Sequence, residues 1–207
     1  MMIETSAEGG VFTLTLNRPP LNILNLEMLS EIGAALDAAA GNSFLVLKGR
    51  GKAFSAGADV ADHLPDKVER MLGVFHGAIK KLVAFEGIVV ACVDGSALGG
   101  GCELILSADV VLASSNAQFA QPEIQLGVFP PVAMVLLPRI CPTGAARELL
   151  LSGRAVNAEE ALRLGLVSRV FPAESFEAES GKYLSKLQSL SRSSLKLSKR
   201  LLRRLHP

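Results

Sequence analysis

The chain has 207 residues, 49% hydrophobic and 20% charged, which suits one globular domain with a sizeable core and excludes a disordered chain. Its 21 basic and 20 acidic residues nearly cancel, which argues against nucleic acid or a membrane as the main partner. Three cysteines (Cys92, Cys102 and Cys141) form no CxxC pair, no apolar run reaches membrane-spanning length, and the N-terminus lacks a charged-then-apolar leader. The expectation is a soluble, cytoplasmic protein with reduced thiols.

In chain order, Val11–Leu16 alternates as a strand does, and Asn17-Arg18-Pro19-Pro20 stops it. Asn25 can cap a helix with Leu26, Leu29, Ile32 and Leu36 on one face, ending at Gly41. Residues 44–47 read as a second strand. Beyond it, residues 53–59 are mostly small, so backbone could approach a ligand there, although taken alone they are better read as an ordinary tight turn. Asp66 is expected to begin a helix whose Val68, Met71, Leu72, Phe75, Ile79 and Leu82 face the core.

Ile88–Val93 reads as a buried strand, followed by Gly99-Gly100-Gly101 and a helix from Cys102. Glycine is a poor helix former, so three of them at a helix start suggest N–H groups laid bare to a ligand. Glu103, in the first turn, puts a carboxylate beside that cradle and suggests acid–base chemistry on a carbonyl compound. A first-turn glutamate is also favourable there in its own right. The glycine spacing is neither a phosphate loop nor a dinucleotide fingerprint.

Residues 110–113 form a further strand. Glu123 brings a second carboxylate, next to Pro122. Pro131 is placed to open a short apolar helix. Residues 145–151 and 158–164 are helical, with Thr143 and Asn157 as caps. From Phe176 one or two basic amphipathic helices are expected. Leu184, Leu187, Leu190, Leu195, Leu201, Leu202 and Leu205 should face inward, and Lys186, Arg192, Lys196, Lys199, Arg200, Arg203 and Arg204 should cover the rest. Those cations read as a solvated face, or as a landing place for the phosphates of a substrate; nucleic acid is the weakest of the three readings. Strands alternating with helices indicate an α/β fold with parallel pairing. His76 reads as structural, and His63 as a candidate for a pocket wall. Ser55 and Ser96 lack a base at a suggestive spacing, and Cys102 reads as packing inward.

Three segments together resemble the crotonase (enoyl-CoA hydratase/isomerase) superfamily. Lys52-Ala53-Phe54-Ser55-Ala56-Gly57-Ala58-Asp59 is similar to its first oxyanion-hole turn, and Asp94-Gly95-Ser96-Ala97-Leu98-Gly99-Gly100-Gly101-Cys102-Glu103-Leu104 to its second. Gln121-Pro122-Glu123-Ile124-Gln125-Leu126-Gly127 is similar to the segment holding a second catalytic glutamate, and the likeness spans residues 13–169. It implies a spiral of ββα units with two roughly perpendicular sheets over residues 1–175, followed by basic C-terminal helices over 176–207. It implies that the Ala58 and Gly100 N–H groups bind a thioester oxygen, that Glu103 and Glu123 exchange protons with water and carbon, and that Ala56, Asp59, Gly99 and Pro131 lie at the substrate. The implied activity is hydration of an acyl-CoA, with no metal and no cofactor beyond the coenzyme A of the substrate, by a homo-oligomer (a trimer or dimer of trimers). An isomerase, or a silent acyl-CoA-binding subunit, is the alternative.

A narrower likeness is to cyclohexa-1,5-diene-1-carbonyl-CoA hydratases. It lies in Asn17-Arg18-Pro19-Pro20-Leu21-Asn22, Asp59-Val60-Ala61-Asp62-His63 and Gly127-Val128-Phe129-Pro130-Pro131-Val132-Ala133. Ordinary enoyl-CoA hydratases carry a glycine-rich turn where residues 131–134 lie, and a glycine N–H there helps to position water. Pro131 has no N–H, which implies water held otherwise or a reshaped pocket. The family pattern continues past a helix like 194–205 with further helices. Their shortening here is expected to leave apolar surface for another subunit to cover.

Overall fold

The computed structural model describes residues 1–205, apart from the Leu205 side chain. Strands β1 (Ile3–Glu8) and β2 (Val11–Leu16) form an antiparallel hairpin. The chain then alternates between two sheets. Each of three long strands steps into a short one: β3 (Phe44–Gly49) into β4 (Ala53–Ser55), β5 (Ile88–Val93) into β6 (Ser96–Leu98), and β7 (Val110–Ser114) into β8 (Gln118–Ala120). Next, β9 (Val156–Asn157) pairs antiparallel with β8, and β10 (Arg169–Phe171) pairs parallel with β7. The large sheet has the order β1-β2-β3-β5-β7-β10 and the small one β4-β6-β8-β9.

Helices fill the returns. They are α1 (Leu26–Ala38), α2 (Val68–Ala84), α3 (Gly100–Leu106), α4 (Pro131–Ile140), α5 (Thr143–Ser152), α6 (Ala158–Arg163), α7 (Phe176–Gln188) and α8 (Arg192–Leu205). Asn25 caps α1 through Met28 N at 2.9 Å, and Asn157 caps α6 through Glu160 N at 2.9 Å, both as the sequence indicates. Two starts differ. α2 begins at Val68 rather than Asp66, with no side-chain cap, and Thr143 is the first residue of α5 rather than its cap, because Pro142 holds that position.

Parallel strands covered on both faces read as unbroken apolar runs. β5 is buried at all six positions: Val89, Ala91 and Val93 enter the main core with α1 and α2, while Ile88, Val90 and Cys92 enter a second cluster under Phe176, Tyr183, Leu184 and Leu187 of α7. Full burial of such a side chain contributes roughly 1.5–3 kcal/mol. β5 therefore rigidly fixes the strand end from which the site is built.

The last helix reverses its expected orientation. In α8 the positions i, i+4, i+7 and i+11, where an amphipathic helix usually carries its leucines, hold Arg192, Lys196, Lys199 and Arg203. All four face the body. Arg192 donates to Gly9 O (3.1 Å), Lys196 lies 3.8 Å from Glu86, Lys199 donates to Gly87 O (2.6 Å) and to Asp109, and Arg203 donates to Phe85 O (3.2 Å). Leu195 remains half-buried, but Leu190, Leu201 and Leu202 are exposed rather than inward-facing; the Leu205 side chain lies outside the described residues. The ground under α8 explains this. It is the sheet end where α2 finishes and backbone carbonyls emerge, and such carbonyls attract cations.

Candidate active site

The first turn is built by Asn22. This buried residue takes a left-handed conformation (φ 51°), which asparagine tolerates better than most side chains. Its Nδ2 shares two hydrogens among Arg50 O (2.9 Å), Ala53 O (2.8 Å) and Phe54 O (3.1 Å), while its Oδ1 accepts from Arg18 N (2.8 Å). Ser55 Oγ donates to Asn22 O at 2.8 Å and accepts from Gly57 N at 3.2 Å. Leu24 then bridges the turn, donating to Gly57 O (2.9 Å) and accepting from Asp59 N (3.0 Å). The amide between them, Ala58 N–H, has no partner among the described residues.

The second turn follows β6. Gly99 adopts φ 49° and ψ −125°, donates to Ala120 O at 2.9 Å, and accepts from Glu103 N at 2.8 Å. Gly100 is the first helical residue, and its N–H is likewise without a partner among the described residues. The two turns press together: a Cβ on Gly57 would lie 3.6 Å from Gly100 N, and one on Gly100 would lie 3.4 Å from Ala58 N. Two unpaired amides thus converge on one small space. Ligand access, the reason suggested by the sequence for all three glycines, fits Gly100 alone. Gly101 is glycine because a Cβ would strike Ser55 O at 2.6 Å, and Gly99 because of its φ and because a Cβ would stand 2.6 Å from Glu123 Oε1.

Both carboxyls reach this space. Glu103 is 3% exposed. Its Oε1 accepts from Val132 N and Ala133 N, each at 2.9 Å, so a side chain of α3 caps the start of α4. Burial pushes its pKa up to about 7; the Ala133 N–H opposes this, the charge of Glu123 adds to it, and the Val132 N–H opposes it again. Glu123 stands on the single 3₁₀ turn Pro122–Leu126, where proline opens the turn and left-handed Gly127 ends it. Its Oε2 is buried without a partner among the described residues. Burial also raises its pKa, against the pull of its own backbone N–H and of the His63 charge.

The structure therefore brings together Ala58, Gly99, Gly100, Glu103, Glu123 and the α4 start at Pro131. Ala56 lies beside them, its N–H donating to Leu21 O at 2.9 Å. The Asp59 carboxylate is engaged elsewhere: it caps the 3₁₀ turn Val60–His63 through Ala61 N (3.1 Å) and lies 3.7 Å from Arg18. An open cleft of about 510 Å³ reaches Asp59, Asp62 and Arg70 but neither glutamate. The His63 ring is exposed, its Nδ1 held 2.9 Å from Asp59 O. His76 is half-buried, its ring 6.2 Å from that of Phe75. Cys102 is buried, and burial pushes its thiol far up. Sequence reasoning missed Asn22 as the builder of the first turn and Val132–Ala133 as the holders of Glu103. Only the asparagine just after Pro19-Pro20 could have signalled the former.

Comparison with known proteins agrees with this geometry. The family model described as enoyl-CoA hydratase/isomerase matches residues 6–205. The crotonyl-CoA hydratase of Syntrophomonas wolfei is 38% identical over 93% of this chain and 77% of its own length. The cyclohexa-1,5-dienecarbonyl-CoA hydratase of Thauera aromatica is 35% identical over 95% and 77%. Among solved structures, an enoyl-CoA hydratase subunit from Geobacillus kaustophilus superposes with a TM-score of 0.92 at 35% identity, over 99% of this chain and 82% of that one.

Proposed function

Since the chain belongs to the enoyl-CoA hydratase/isomerase family, we propose that it adds water across a conjugated double bond of an enoyl-CoA or cyclic dienoyl-CoA thioester. One observation carries this reading: two amides without a partner among the described residues, Ala58 N–H and Gly100 N–H, converge beside the buried Glu103 carboxyl and the half-buried Glu123, whose Oε2 is itself buried. Water attacks the β-carbon, the π electrons move to the α-carbon and carbonyl, and the negative oxygen is held between the two amides. A single such donor is typically worth about 10² to 10³ in rate. One carboxylate takes a proton from the attacking water, and the other carboxyl delivers one to the α-carbon. A carboxyl that titrates near 7, as Glu103 does, is suited to either half of that exchange at neutral pH. Hydration is redox-neutral, so the proposed step calls for no cofactor beyond the coenzyme A of the substrate.

The test is direct. The purified chain is incubated with crotonyl-CoA and, separately, with cyclohexa-1,5-diene-1-carbonyl-CoA, and the products are weighed. A gain of one water supports the reading. An unchanged mass with a moved double bond makes it an isomerase working through one carboxyl. Binding without turnover makes it a silent acyl-CoA-binding subunit. The cyclic substrate is favoured by the Thauera aromatica likeness and by Pro131, which withholds an N–H at the α4 start. Homo-oligomerisation, as a trimer or dimer of trimers in the cytoplasm, belongs to the same proposal. It is supported by the exposed apolar side chains Leu126, Val128, Phe129 and Val135 around the second carboxyl, and sedimentation velocity measures it.

A further inference from the structure

Four of the six cations of α8 are turned inward, and three of its leucines are left outside. Leu197, Leu201 and Leu202 are 47%, 49% and 61% exposed, and Leu197 and Leu201 stand one turn apart on a single ridge. Arg200 and Arg204, also one turn apart, flank that ridge, are exposed, and make no ion pair among the described residues. No aspartate or glutamate occurs between Ser180 and Arg204. An ordinary surface helix hides its leucines and wets its cations. This one is fastened by charge and presents its leucines.

We propose that the outward face of α8 is a docking surface for an acidic amphipathic helix of another protein. The leucine ridge matches the i, i+4 spacing by which one helix packs on another. The flanking arginines call for carboxylates on the incoming helix. Charge complementarity also separates this occupant from two others. A second copy packing this same face against itself would set Arg200 and Arg204 against their own likeness, which repels. An anionic bilayer is held by clusters of about four to eight cations, whereas four of the six in α8 are already bound to the body of the protein.

The probe is a fluorescein-labelled synthetic helix with leucines at i, i+3, i+4 and i+7 and glutamates on both flanks, followed by anisotropy against the full 207-residue chain. The same helix with lysines on its flanks is the control. The acidic helix should bind and weaken with added salt. The pair L197S/L201S and the pair R200E/R204E should each weaken it at least about tenfold. R200E/R204E should also gain the lysine-flanked helix, a readout that mere misfolding cannot produce. All four side chains lie outside the core, so both variants should keep the wild-type melting midpoint. No binding, binding unmoved by both variants, or equal binding of the two helices overturns the proposal. So does an R200E/R204E-sensitive capture on phosphatidylserine vesicles, or a dimer dissolved by L197S/L201S.

Discussion

The two glutamates of the candidate site share a space and differ in how they are held. Glu103 is fixed: its carboxyl caps α4 through two backbone amides and sits on α3, the buried helix that follows β6. Glu123 is placed by a single 3₁₀ turn, and one of its oxygens is buried with no partner among the described residues. A buried oxygen without a partner is costly and is tolerated where a ligand will supply one. One carboxyl is thus part of the scaffold and the other is left open to a ligand, although the sequence presents both simply as glutamates.

Removing the charge from either side tests that contrast most severely. Glu103→Gln and Glu123→Gln should each lower kcat by about 10² to 10⁴ with KM little changed. A glutamine at 103 keeps an oxygen for Val132 N and Ala133 N, so the variant should remain folded; near-normal turnover in either variant would sink the two-carboxyl mechanism. Stability against pH separates the fixed partner. Folded Glu103 keeps its proton up to about pH 7, whereas the unfolded chain releases it near 4.5. The stabilisation from that proton is therefore complete below about pH 4.5 and is lost as pH rises to 7, by roughly 3 kcal/mol. Urea midpoints should fall over that window in the wild type and fall less in Glu103→Gln; parallel curves would contradict the assignment.

Gly99→Ala addresses the other partner. The new methyl would press on Glu123 Oε1 and occupy a strained φ, so turnover should drop about tenfold to 10² while the fold survives. Asn22→Ala should have the smallest effect. It removes the donors shared by three carbonyls and should cost about 1–3 kcal/mol in a denaturant titration, with turnover changed less than by Gly99→Ala.

Much of this was legible in the sequence because it is local. The β5 run, the Asn25 and Asn157 caps, Pro131 at a helix start and the three motifs each span a few residues, and each lies where the pattern put it. What stayed hidden depends on distant partners. Nothing in Glu103 announces amides 29 and 30 positions away, or in Asn22 the carbonyls of residues 50 to 54. β1 escaped notice because, of its residues, only Ile3 is buried; β6 and β9 are too short for any period to show. α8 was read backwards for the same reason. Its periodicity is real, but the ground beneath it offers carbonyls and carboxylates rather than apolar side chains, and only the folded chain reveals that.

The glycine cradle also decides how far this site could be reshaped by directed evolution. In a saturation library, Gly99 and Gly101 would return almost empty columns: any side chain at 99 meets both its φ and Glu123 Oε1, and any at 101 meets Ser55 backbone. Gly73 and Gly77 of α2 face open space and would accept alanine with a gain in helix propensity. New substrate range would therefore have to be sought in the walls around residues 124–135, leaving the floor of the site as it is.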